Sequence, residues 1–138
     1  MATPGTEELK RAIRGFDRLY GLELLSISDT EVAAQVAVRD ELKQPAGLVH
    51  GGVYASIAES MASLATHVAV AAQGEMAMGL ANSTSFLRPV TAGTIHARAT
   101  RLHRGRTTWV WDVLFTDDEG RSCAITRMTI AVRPAPGA

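Results

Sequence analysis

A single cysteine, Cys123, leaves this 138-residue chain without an internal disulfide or a cysteine-rich zinc site. Its setting in an apolar run predicts a buried, inert thiol. Net charge is also missing. Lys and Arg number 14 against 14 Asp and Glu, so neither nucleic acid nor an anionic membrane has electrostatic support as a partner. No uninterrupted apolar stretch approaches the ~20 residues that span a bilayer, and the first residues have no positive flank or apolar signal core. A cytoplasmic protein is expected. His50, His67, His96 and His103 lack ligand spacing, so no metal is expected. No GxSxG elbow occurs, which argues against an α/β-hydrolase.

Two absences are local. No Gly or Pro falls between Gly52 and Ala72, and no Lys or Arg between Lys43 and Arg88. The first predicts one long helix over residues 51–72, fed by a loop and opening on glycine backbone. Free amides at such a start form an anion or oxyanion site. The second isolates Glu59, the only carboxylate on that helix, from any local cation. Spacing at 100° per residue puts Val53, Ile57, Met61, Leu64 and Val68 on one apolar stripe. Glu59 falls on the other side, among Gly52, Ala55, Ala62, Ser63 and Thr66. An ordinary wet face would be richer in Lys and Glu. This small-residue face suits the approach of another backbone or a ligand, and a carboxylate there can serve as a base or nucleophile.

Around that helix the pattern predicts an N-terminal helix at about residues 6–19 with Thr6 as its cap. Strands are predicted at about 22–27, 31–38, 76–86, 95–102, 108–115 and 123–132. Trp109, Trp111, Val113 and Phe115 share one face of their strand by period 2. Residues 103–106 and 117–120 read as hairpin turns with glycine at positive φ, and residues 134–138 as a frayed tail. With 46% apolar residues there is enough for one core, so a single domain over residues 1–138 is expected. Its class is α+β, an antiparallel sheet against one long helix.

Gly51 and Glu59 are eight residues apart, ~12 Å along a helix. One carbonyl must lie within ~3 Å of both an oxyanion donor and the attacking group. If both act on one carbonyl they come from two subunits, so a homodimer with shared sites is expected.

The segment from Lys43 and Gln44 through His50-Gly51-Gly52 to Glu59-Ser60 resembles the signature of hotdog-fold acyl-CoA thioesterases that use a helix-borne glutamate. The similar branches are the glutamate-type 4-hydroxybenzoyl-CoA, the 1,4-dihydroxy-2-naphthoyl-CoA and the phenylacetate-degradation thioesterases. The resemblance continues through Asn82–Phe86, Arg88-Pro89, Thr107–Asp112 and Thr129–Pro134, about residues 30–134 in all. It implies a hotdog fold, with the sheet wrapped around one central helix, and hydrolysis of an acyl-CoA, with an aromatic acyl group favoured. Glu59 is then nucleophile or general base. The Gly51 amide polarises the carbonyl beside His50, Gln44 orients carboxylate or water, and Ser63 keeps a hydroxyl one turn after Glu59. Arg88 and the loop His103, Arg104, Gly105, Arg106 and Thr107 fall where relatives hold coenzyme A, although Arg106 replaces a smaller hydroxyl residue of one branch. No cofactor is implied, coenzyme A being part of the substrate, and the assembly is a tetramer built as a dimer of dimers. Two rival functions are a hotdog hydratase or dehydratase with His50 as base, and a non-catalytic acyl-CoA-binding protein. The latter would need an output module, and the first ~20 residues are short for a DNA-reading domain.

Overall fold

In the computed structural model, which describes residues 4–137, six antiparallel strands form one sheet against a 20-residue helix. The helices are α1 (Thr6–Ala12), α2 (Phe16–Leu19) and α3 (Gly51–Val70). The strands are β1 (Glu23–Ile27), β2 (Glu31–Ala37), β3 (Glu75–Phe86), β4 (Thr94–Arg104), β5 (Thr108–Thr116) and β6 (Ser122–Pro134). Their order across the sheet is β1-β2-β4-β5-β6-β3. The chain leaves β2, crosses as α3 and returns as β3 on the far edge. This is the hotdog arrangement that the resemblance implies. Among the described residues no helix is long and apolar enough to cross a membrane.

Alternation sets the inner face of the sheet. Trp109, Trp111, Val113 and Phe115 are all at most 1% exposed, as period 2 requires. Trp111 donates its Nε1 hydrogen to Thr66 Oγ1 on α3 at 3.0 Å. Thr66 in turn donates to the Ala62 carbonyl at 2.8 Å, so both polar groups enter the core with partners.

That contact corrects the helical stripe. The buried residues of α3 are Tyr54, Ile57, Ala58, Met61, Ala62, Ala65, Thr66 and Val70, while Val68 is 41% exposed. Ala62 and Thr66, expected beside Glu59 on the open side, lie fully against the sheet. The helix is rotated toward its alanines because small side chains let its axis approach the sheet, and the tryptophans of β5 fill the space that remains.

Other expectations change at glycines. The N-terminal helix is broken over residues 13–15, where Ile13 turns extended at ψ 109° and Gly15, at φ +59°, precedes α2. Gly5, not Thr6, occupies its N-cap, with no side-chain cap. Gly120 turns its hairpin at positive φ, but Gly105 does not. Gly105 is instead a close-approach position, since a Cβ there would lie 2.7 Å from the Thr108 carbonyl oxygen. The tail is held further than expected. Pro134 pairs with Glu75, and the Ala135 amide donates to the Gly74 carbonyl at 2.8 Å; Ala138 lies outside the described residues.

Candidate active site

The start of α3 is fixed by the loop before it. Val49 N–H donates to the Val90 carbonyl and His50 N–H to the Leu42 carbonyl, at 2.9 and 2.8 Å. Within that loop Gly47, at φ +89°, closes a turn by donating to the Gln44 carbonyl at 2.9 Å. Gln44 Oε1 accepts from the Ala46 amide at 2.9 Å. The side-chain oxygen thus braces the turn, while the Nε2 hydrogens have no acceptor among the described residues.

The helix start is not the bare backbone that the glycines suggest. His50 is the N-cap, and its Nδ1 accepts from the Gly52 amide at 2.9 Å. Its carbonyl accepts from the Val53 amide at 3.0 Å. Of the first three amides of α3, only that of Gly51 has no acceptor among the described residues. An accepting Nδ1 carries no proton, so the imidazole proton sits on Nε2 and neither ring nitrogen has a free lone pair.

Two clefts flank this point. One, of about 560 Å³, is lined by Gln44, Gly51, Tyr54, Phe86, Arg88 and Cys123 among others. It joins three expected site residues: Gln44, Gly51 and Arg88. The Phe86 ring covers the helix start so closely that a Cβ on Gly51 would lie 2.7 Å from it. The second cleft, of about 580 Å³, holds His50 and Gly52 with Arg39, Lys43 and Tyr20. His50 and Gly51 are adjacent in sequence and open onto different clefts.

Glu59 lines neither cleft. It is exposed in the middle of α3 and makes no ion pair among the described residues. Its carboxylate lies over β3, where a Cβ on Gly79 would meet Oε1 at 2.7 Å. A β-bulge follows at once, with the register shifting between Gly79 and Ala81. Asn82 Nδ2 donates to the Ala55 carbonyl at 2.9 Å and ties the same strand to the helix. Ser63 sits one turn beyond Glu59, half-buried. On the other flank Ser60 Oγ and Tyr20 OH both donate to Asp17 Oδ1, at 2.5 and 2.9 Å. Burial pushes the Tyr20 phenol upward, against the opposing pull of its Ser60 hydrogen bond.

The residues expected at coenzyme A are split. Arg88 lines the Gly51 cleft, its amide anchored on the Cys123 carbonyl at 3.1 Å. The His103–Thr107 hairpin belongs to the other end of the sheet. Thr108 pairs with Ala131 and Ala131 with Met78, whereas Phe86 pairs with Ala124. Met78 and Phe86 are thus ~26 Å apart along β3. In the hairpin Arg104 lies 4.8 Å over the Trp109 ring and 3.4 Å from Asp29 Oδ2. The Thr107 carbonyl accepts from Val132 and Arg133, while Arg106 and His103 are exposed.

Sequence reasoning missed Tyr54, Gly79 and the Asp17–Tyr20–Ser60 group. Tyr54 had a usable signal, standing three residues after Gly51 on one helical face. Gly79 had none, because its contact with Glu59 depends on how β3 returns past the helix.

Residues 46–124 match the family described as the Thioesterase superfamily. A putative esterase of Pseudomonas aeruginosa is 34% identical over 136 residues, 98% of this chain and 94% of the relative. A 1,4-dihydroxy-2-naphthoyl-CoA hydrolase of Listeria monocytogenes is 32% identical over 119 residues, 86% of this chain and 96% of the relative. Among solved structures, a mutant thioesterase from Pseudomonas aeruginosa superposes with a TM-score of 0.89 at 32% identity, covering 95% of each chain.

Proposed function

The chain belongs to the thioesterase superfamily, and we propose that it hydrolyses an aromatic acyl-CoA in the cytoplasm, at sites each built from two copies of the chain. One observation carries this reading. The unpartnered Gly51 amide and the unpaired Glu59 carboxylate lie on one helix, ~12 Å apart, and only Gly51 lines the cleft. A second copy would supply the missing group. Support comes from β3, a 12-residue edge strand that passes Glu59 with one edge unpaired and has Met78, Leu80 and Phe86 exposed along its length. The tetramer implied by the resemblance would then be a pair of such dimers.

In the proposed reaction the thioester carbonyl oxygen accepts from the Gly51 N–H, with Gln44 Nε2 as a neighbouring donor. These dipoles favour the negative charge that builds on that oxygen. The Glu59 carboxylate of the partner subunit acts in one of two ways. As nucleophile it bonds to the carbonyl carbon while the C–S bond breaks, giving a mixed anhydride and CoA thiolate, and water then cleaves the anhydride. As base it takes a proton from the water that attacks the carbonyl. Either route gives free acid and CoA and draws on no cofactor. The dihydroxynaphthoyl substrate in the Listeria relative's name, with the Tyr54 and Phe86 rings in this cleft, supports an aromatic acyl group. A hydratase with His50 as base fits less well, since the Gly52 hydrogen bond occupies Nδ1.

Thiol release from benzoyl-CoA, 4-hydroxybenzoyl-CoA and straight-chain acyl-CoAs tests the reading. Turnover should be highest on the aryl thioesters, and a panel with no hydrolysis at all would contradict it. Arg88, at the cleft mouth, is proposed to hold a CoA phosphate by a charge-assisted hydrogen bond. Arg88→Ala should raise KM about 10-fold and leave kcat within about twofold. The increase should vanish on a pantetheine thioester, which lacks the nucleotide. Equal losses on both substrates would remove Arg88 from that role.

A further inference from the structure

Tyr54 is 3% exposed, yet among the buried side-chain polar atoms of the described residues its hydroxyl is the one without a hydrogen-bond partner. Its ring is wedged edge-on against Phe115, with centroids 5.2 Å apart, and tilts toward Phe86 at 6.2 Å. The neighbouring Cys123 thiol is already committed as donor to the Arg121 carbonyl at 3.4 Å. Tyr54 and Cys123 both line the Gly51 cleft, whose remaining wall is largely apolar, with Leu48, Phe86, Leu87 and Val90. A buried hydroxyl without a partner is costly, and such groups call for an explanation beyond packing. A phenylalanine would fill the same space without that cost.

Position supplies the explanation. Tyr54 follows Gly51 by three residues, so both face one side of α3, ~4.5 Å apart along the axis. A thioester whose carbonyl rests on the Gly51 amide would project its acyl group along this face. We infer that the Tyr54 hydroxyl is a specificity-determining group, hydrogen-bonding an oxygen substituent carried by the acyl portion of the substrate. The inference rests on the thioesterase reading above and deepens it by selecting oxygenated acyl groups over their plain hydrocarbon counterparts. Burial first, and then the Cys123 thiol, push the phenol up to about 12, so at neutral pH it can both donate and accept. A cleft wall that keeps a buried polar group unpaired until a ligand meets it rejects the ligand that cannot pair with it.

The test uses the full chain and substrate pairs differing by one oxygen: 3- and 4-hydroxybenzoyl-CoA against benzoyl-CoA, and a straight-chain 3-hydroxyacyl-CoA against its acyl-CoA. Wild type should favour the hydroxylated member of at least one pair by about 10-fold or more in kcat/KM. Tyr54→Phe should erase that preference, lowering kcat/KM for the hydroxylated member about 10-fold more than for the unsubstituted one. Its Tm should not fall, because the fold loses no hydrogen bond. The inference is overturned if wild type shows no preference in any pair, if the preference survives the substitution, or if both members lose equally. A Tm lowered by about 5 °C or more would also overturn it, by showing that the hydroxyl is satisfied within the assembly. Hydrolysis of none of these thioesters is a separate result, which would remove the thioesterase reading and this inference with it.

Discussion

Glu59→Gln should lower kcat by about three orders of magnitude or more, with the fold unchanged. Glutamine keeps the length and helix propensity of glutamate and can keep the same approach to Gly79. What it loses is the charge, and with it the capacity to attack a carbonyl or take a proton from water. Stability should change by no more than about 0.5 kcal/mol, as expected for an exposed side chain without an ion partner. Steady-state hydrolysis of the best aryl-CoA, beside circular dichroism and a melting curve, reads both quantities. Near wild-type turnover in the folded variant would reject Glu59 as the reacting group.

Gly51→Pro removes the one amide at the helix start that has no acceptor among the described residues, and should cost about 100- to 1000-fold in kcat. Proline is well suited to a first helical position, where its missing N–H breaks no intrahelical bond. His50 already sits at φ −64° and ψ 135°, within the extended region that a residue before proline prefers. The Phe86 ring must swing aside, which its 60% exposure permits. Gly51→Ala is the control, since it also displaces Phe86 but keeps the amide. Loss in the proline variant alone would isolate the donor, whereas equal losses in both would assign the effect to crowding by Phe86.

The sequence made legible those features written in a single segment. Gly51-Gly52 and the glycine-free run behind them marked α3 to within a few residues. The alternation Trp109, Trp111, Val113, Phe115 identified the buried face of β5. Features set by distant segments were not legible. Apolar size placed Val68 inside, but the close approach of Ala58, Ala62 and Ala65 to the sheet turned it out. No local pattern put β3 on the far edge beside β6, and so none could place Gly79 under Glu59. At the site the spacing of Gln44, His50, Gly51 and Glu59 was visible, and the separation of Gly51 from Glu59 followed from helix rise alone. The division of labour inside the HGG motif was not visible. Only in the folded chain does His50 cap Gly52 while Gly51 stays open, and does Tyr54 lie buried without a partner.

The shared site is the central claim, and mixing two inactive variants tests it most directly. Glu59→Gln and Gly51→Pro proteins would be combined in equal amounts, subunits allowed to exchange, and heterodimers verified by native mass spectrometry. A two-fold contact creates two equivalent sites. In a heterodimer one site then carries both defects, and the other takes its Gly51 amide and its Glu59 carboxylate from undamaged copies. Random exchange makes about half the dimers mixed, each with one of two sites intact, so hydrolysis should return to about a quarter of the wild-type rate. Verified heterodimers that stay as inactive as their parents, or full activity in a monomer, would contradict the shared site.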